Sequence, residues 1–284
     1  MSDVLLHYTN QAGLVGILRS ATLWHTDYRF TNDAHEIIKI AEATLFDGFK
    51  LIADTKYAEH PEQNREHGAR KAAKDYVGAM EDWQIFLLAL SKPSDPYDAE
   101  NGSLSMWRAY GNSRNRYALV FDYETITKGM LDEDKRQGFA SLVDNMYYHI
   151  PFHIKKSLCE KFDFARFLEM NLEMSGKAGK SVLSKKDSED IMSFILSCKH
   201  YGFHEEKEFR HAILFSGEEK LDKLYEARRD YPTIPISFDK KCLKGIIIGP
   251  NSDEERSRAL IEYYQRAYGW PEIDIKKSTI PFVE

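Results

Sequence analysis

The stretch HEEKEFRHAILF, His204 to Phe215, sets three carboxylates and an arginine at the head of an otherwise apolar run. Read with the period of two that a strand imposes, Glu206, Glu208 and Arg210 share one face, and Phe209, His211, Ile213 and Phe215 share the other. An acidic pair on one face can hold a cation. The plainer reading is an edge strand whose outward residues are solvated, with Arg210 and Glu208 forming a surface bridge of little worth.

Working outward, the pattern is one of strands and helices without regular alternation. Ser188 to Cys198 reads as a helix leading into the acidic strand, with Ile191, Phe194, Ile195 and Cys198 on one face. Downstream, Pro232 to Phe238 and Leu243 to Gly249 read as strands, Glu254 to Tyr268 as a helix, and Ile273 to Ile280 as a last strand. Upstream, Val4 to Tyr8 is a short buried strand that ends in a polar pair, and Thr9 or Asn10 can cap the helix that places Leu14, Ile17 and Leu18 together. Asn32 or Asp33 can cap a long amphipathic helix from about Glu36 to Tyr57. Pro61 to Gly68 reads as a turn, and Ala69 to about Asp82 as a second helix. Ile85 to Leu90, a continuous apolar run closed by Ser91, reads as a central strand. After the loop KPSDPYDAENGS, the segment LSMWRAYG suits a short helix with Trp107 and Tyr110 on one side. RYALVFD is a further strand, and the residues from Tyr123 to Leu183 are helix-biased, with one strand around Leu142 to Ile150. SGKAGKS lacks the spacing of a phosphate loop and reads as a linker. This order favours an α+β domain over a doubly wound sheet.

Composition narrows the function. The 284 residues suit one large domain with a helical insertion. Hydrophobic residues at 43% and charged residues at 30% are ordinary for a globular protein. A net charge of −6 gives no global attraction to phosphate, so a nucleic-acid target needs a local patch. Cys159, Cys198 and Cys242 are too far apart for a disulfide framework or a zinc site. His25, His35, Glu36, His200, His204 and His211 likewise fit no closed metal site, and no metal is expected. The start of the chain shows neither a leader nor a membrane span, so the expected location is cytoplasmic, without a membrane partner.

A wider pattern links these segments. LLHYTNQAGLVGILRSATLW (Leu5 to Trp24), NDAHE (Asn32 to Glu36), MWRAY (Met106 to Tyr110), EEKEFR (Glu205 to Arg210), IIIGP and IKKSTIPF together resemble a widespread bacterial family of unknown function regarded as having an ADP-ribosyltransferase-like fold. The resemblance implies a single domain over residues 1–284, with a split mixed sheet as its core and helical segments at about 34–82 and 124–200 packed around it. It implies NAD as the substrate. His7 is similar to the first-strand residue that hydrogen-bonds the NAD ribose, with Tyr8 and Thr9 beside it. Ser91 falls near a motif serine, and Trp107 and Tyr110 lie where an aromatic stacks on nicotinamide. Glu208 resembles the catalytic glutamate, Glu206 completes the E-x-E arrangement, and Arg210 supports Glu208. The chain departs from that pattern in the middle motif, which has no Ser-Thr-Ser in the Ile85 to Leu90 strand.

The chemistry needs these residue types. Breaking the nicotinamide–ribose bond develops positive charge on the ribose, as in glycoside cleavage, and a carboxylate must face it. The activity implied is NAD-dependent ADP-ribosyl transfer to an intracellular protein or nucleic acid, as in a toxin or defence effector with a neutralising antitoxin or immunity partner. The alternatives are a catalytically inactive module that binds a nucleotide or partner, and an NAD glycohydrolase. Each residue also has a plainer role. His7 suits a satisfied core histidine, and Trp107 and Tyr110 suit core aromatics.

Overall fold

The computed structural model describes residues 3–31, 34–79, 83–110, 115–148, 192–193, 195–216 and 231–281. The expected caps Asn32 and Asp33, the SGKAGKS linker and most of the expected insertion lie outside these residues. Strand β1 (Val4–Asn10) feeds helix α1 (Gln11–Ser20), where Asn10 caps by accepting a hydrogen bond from the Gly13 amide at 2.9 Å. Next come β2 (Thr22–Asp27), a 3₁₀ turn (Tyr28–Phe30), and the helices α2 (Ala34–Lys56) and α3 (Glu62–Ala79). Strand β3 (Trp83–Ser91), the short helices α4 (Pro96–Asn101) and α5 (Leu104–Ala109), β4 (Arg116–Asp122) and α6 (Tyr123–Gln137) follow. Then β5 (Ala140–Asn145), β6 (Tyr147–Tyr148), β7 (Cys198–Lys199) and a 3₁₀ turn (Tyr201–Glu206) lead to β8 (Glu208–Ser216). The chain closes with β9 (Thr233–Ser237), β10 (Leu243–Ile248), α7 (Glu254–Ala267) and β11 (Asp274–Lys277).

Among the described residues, nine strands form one mostly antiparallel sheet, in which the β10–β11 pair is parallel. Its pivot is β3. One edge of β3 is occupied along its whole length by β8, from Trp83↔Ser216 to Ser91↔Glu208. The other edge must therefore serve both β1, which meets it at Leu6↔Ser91, and β2, which meets it at Thr26↔Leu87 and Asp27↔Phe86. Between these contacts β1 and β2 diverge, and the sheet forks. The core is thus one sheet split along one strand edge, with β1, β4, β10 and β11 on one limb and β2 and β9 on the other.

The strand alternation decides which helices cover which face. Leu88, Leu90 and Phe209 point toward α1, α6 and α7, where Leu14, Leu18, Ile126, Met130 and Ile261 join them in a dry cluster. On the opposite face, Ile85, Leu87, Ala212 and Leu214 pack under α2 and α3. Farther along that face, Leu6, Tyr8, Ala118 and Ile247 pack under α5. Ala89, Ser91, Glu208 and Arg210 share this face by strand parity yet belong to neither cluster. The gap between the two clusters is the cleft, and Ala89 is exposed at its floor in the middle of a central strand.

Several sequence expectations are corrected. The acidic strand is interior, because β8 lies between β3 and β5. Helix α3 starts at Glu62, with Gly68 inside it, since an acidic first turn outweighs one glycine. The loop after Pro93 contains α4, which Asp95 caps and a proline opens. Within the expected helical segment 124–200, the described part holds α6 but also β5, β6 and β7, and Cys198 is a strand residue. No described helix is long and apolar enough to cross a membrane.

Candidate functional site

The cleft is a cavity of about 340 Å³ at the fork, lined by Leu6, His7 and Tyr8 from β1, Trp24 and Thr26 from β2, Leu87 to Ser91 from β3, Met106 and Tyr110 at α5, and Glu206, Glu208 and Arg210. A second chamber of about 650 Å³ runs along α1, lined by Thr9, Gly13, Gly16 and Ile17, and it shares His7, Trp24, Thr26, Tyr110 and Tyr231 with the first. The two chambers thus adjoin at the fork.

The wall of the first chamber carries a charged quartet. Glu208 is 3% exposed, and its Oε1 accepts from Arg210 Nε at 2.6 Å while its Oε2 accepts from Lys199 Nζ at 2.5 Å. The same ammonium donates to Glu206 Oε2 at 2.6 Å. Arg210 also donates to the Leu196 carbonyl at 2.8 Å, and the Glu208 amide donates to the Tyr148 hydroxyl at 2.6 Å. Burial works against a charge on Glu208, but Arg210 and Lys199 outweigh it and hold the carboxyl below the usual carboxylate range. Two anions facing two cations make the quartet neutral, which is how so much charge tolerates so little water.

Glu206 does not continue the strand. It ends the 3₁₀ turn Tyr201–Glu206, and Lys207 follows in the left-handed region at φ 44° before β8 starts. Ser91 fixes this turn by donating to the Glu206 carbonyl at 2.8 Å, so its hydroxyl serves the backbone. The Lys207 ammonium bonds Ser94 and pairs with Asp98 on α4. The two glutamates share the cavity through this turn and Lys199, and strand parity plays no part.

His7 stands at the fork, where it lines both chambers. Burial pushes its pKa down to about 4, so the imidazole is neutral at pH 7, and its Nδ1 is buried without a hydrogen-bond partner. The Tyr8 hydroxyl accepts from the Ser103 amide at 2.8 Å. Tyr110 is 44% exposed and lies nearly parallel to Tyr8, with ring centroids 6.5 Å apart. Trp107 departs from the expectation that both aromatics face one way. It is 1% exposed, its Nε1 donates to the Asn101 carbonyl at 2.9 Å, and its ring meets the edge of Tyr8 inside the core.

The structure thus brings His7, Tyr8, Ser91, Tyr110, Glu206, Glu208 and Arg210 around one cavity and Thr9 around the adjoining one, while Trp107 lies behind the wall. Sequence reading missed Lys199 and Tyr148, which sit in the short strands β7 and β6, and Phe30, Trp24, Thr26 and Tyr231 at the cleft. A lone lysine beside His200 carries no signal that it will meet two glutamates. Among the described residues, no group of three or more histidines, cysteines and carboxylates is placed to hold a metal ion.

Residues 106–211 match a family described as "Protein of unknown function (DUF2971)". The matched segment runs from α5 into β8 and contains the whole quartet, but it stops short of β1 and β2. No curated protein matches the chain, and neither does any solved structure.

Proposed function

We propose that the forked cleft binds NAD and that the protein transfers its ADP-ribosyl group to a protein or nucleic-acid acceptor. The observation that carries this reading is the placement of Glu206 and Glu208 on the wall of the same cavity as His7 and Tyr110. The C1′–N bond breaks, and its electron pair leaves with nicotinamide. Glu208 accepts a hydrogen bond from a ribose hydroxyl and stabilises the cationic centre, an effect worth about 10² to 10³ per preorganised group. The acceptor nucleophile bonds to C1′, and its proton passes to Glu206. Neutral His7 orients the ribose, and Tyr110 offers a flat face to the leaving ring. Arg210 and Lys199 keep Glu208 ionised for its task, and Lys199 also holds Glu206. The proposal extends to a role as a toxin or defence effector.

A second reading is a nucleotide-binding module without chemistry. It is favoured by the engagement of both Glu208 oxygens, at 2.5 Å and 2.6 Å, by cations of the protein itself. Nicotinamide release and acceptor labelling, followed in parallel for the wild type, Glu208→Gln and Glu206→Gln, separate the two. The transferase reading expects Glu208→Gln to bind NAD within a few-fold while nicotinamide release falls at least about a hundred-fold. It expects Glu206→Gln to spare hydrolysis and impair labelling. Unchanged release by Glu208→Gln removes the catalytic assignment.

A further inference from the structure

We infer that the cleft has a second ring-binding station, formed by Phe30 and Tyr231 at the end opposite Glu208, and that it takes a purine base. This deepens the NAD reading and rests on it. Phe30 is 52% exposed although it lines the cavity, and it lies nearly parallel to Tyr231, with ring centroids 6.2 Å apart and planes 23° apart. Together the two rings form an apolar wall of stacked, nearly parallel aromatics. Isolated exposed aromatics are common, but two stacked rings lining one cavity, one of them more than half exposed, present a ring face to it.

The wall is held rigidly in place. Phe30 ends the turn Tyr28–Phe30, in which Tyr28 is buried in the core beneath α2. Asp27, fully buried, accepts from the Arg29 amide and Nε at 3.0 Å each and from the guanidinium at 2.5 Å. Thr31 closes the turn with its amide and hydroxyl on the Tyr28 carbonyl, at 3.1 Å and 2.7 Å. On the other side, the Asp27 amide donates to the carbonyl of Pro232, next to Tyr231, at 3.1 Å. Both ring carriers are thereby fixed to the end of β2, so a base that stacks there orders little additional chain.

The sheet register gives the ligand its length. Glu208 lies opposite Ser91, and Asp27, from which the wall projects, lies opposite Phe86. Five residues of strand separate them, about 17 Å at 3.3 Å per residue. A ligand that meets the carboxylates at one end and the wall at the other is extended, with two planar groups joined by a linker that crosses the fork beside His7. A dinucleotide has this form. With nicotinamide near Tyr110 and Glu208, the ring left for Phe30 and Tyr231 is the adenine.

The test is calorimetric titration with NAD, ADP-ribose and nicotinamide mononucleotide, using the wild type, Phe30→Ala, Tyr231→Ala and Phe30→Tyr. Phe30 is more than half exposed, so its removal leaves the fold intact, which circular dichroism checks. Stacking on one aromatic face should make Phe30→Ala and Tyr231→Ala weaken NAD and ADP-ribose at least about tenfold. Phe30→Tyr should restore that affinity, and nicotinamide mononucleotide should bind all four proteins alike. Unchanged ADP-ribose affinity in both alanine variants overturns the station, as does an equal loss for nicotinamide mononucleotide. If ADP-ribose binding depends on Phe30 but NAD is never cleaved, the station stands and the catalytic reading falls. If the wild type binds neither NAD nor ADP-ribose, both fall.

Discussion

Glu208, with 3% of its surface exposed, depends on partners that a linear reading supplies only in part. Arg210, two residues on, is legible from strand parity, whereas Lys199 arrives from another strand and Tyr148 from a third. Ionisable groups in the sheet, from half-buried His7 to buried His25 and Glu208, also set the acid stability. His7 has its folded pKa lowered to about 4 from 6.5, so the unfolded chain binds the extra proton between those values, and stability falls as pH drops through that window. Burial lowers His25 in the same direction, with the neighbouring His211 adding to it. Glu208 is lowered from 4.5, so its contribution is present above that value and is lost as pH falls through the lower folded value. Thermal unfolding should therefore show a decline beginning near pH 6.5 and a further one below pH 4.5. His7→Gln should flatten the first limb in part and leave the second in place. Identical profiles for the two proteins would remove His7 from the account.

At the scale of elements, most helices and strands follow from periodicity and caps, and the exceptions have local causes. In α2, Ile37, Ala41, Leu45, Phe49 and Ile52 fall at spacings of four and three and form the stripe that packs on the sheet. Helix α5 has only six residues, and Trp107 within it and Tyr110 at its C-cap cannot be sorted by spacing alone. The sheet sorts them. Trp107 packs against the limb formed by β1, β4 and β10, and Tyr110, past the end of the helix, remains at the cleft. Gly102, at φ 72°, leaves room for the indole, because a Cβ there would stand 2.7 Å from Trp107 Nε1. Trp107→Ala should cost about 3 to 5 kcal/mol in chemical denaturation and leave ligand-induced stabilisation unchanged in the surviving fold. A small loss of stability with a large loss of NAD binding would return Trp107 to the cleft.

At the scale of the molecule, the fork has a buried support on the face away from the quartet. His211 Nε2 is 2.8 Å from Asp134 Oδ2 on α6, and His211 Nδ1 is 2.9 Å from His25 Nε2 on β2. The three side chains are almost wholly buried and connect both flanks of β3 to a helix. Asp134→Ala should cost about 3 to 5 kcal/mol, as breaking a buried polar pair does. Asp134 bonds His211, whereas Glu208 bonds Arg210 and Lys199 on the opposite face, so Asp134→Ala combined with Glu208→Gln should be additive within about 0.5 kcal/mol. Coupling well above that in a double-mutant cycle would mean that the two networks act as one. By itself, the sequence determined the α+β class, the central strand at Ile85 to Leu90, the strand and helix that open the chain, and the apolar faces, because these depend on periodicities of two and 3.6 that neighbouring residues express. It also placed Ser91 and Glu208 at strand ends, whereas His7, expected near the end of a strand Val4 to Tyr8, stands in the middle of β1 (Val4–Asn10). Only the tertiary structure decided that one edge of β3 would be shared by two strands, that Glu206 would reach the cleft from a turn, that Lys199 would join two carboxylates, and that Phe30 and Tyr231 would stand side by side. Those outcomes arise from pairings between residues far apart in the chain, and pairing of that kind leaves no local pattern.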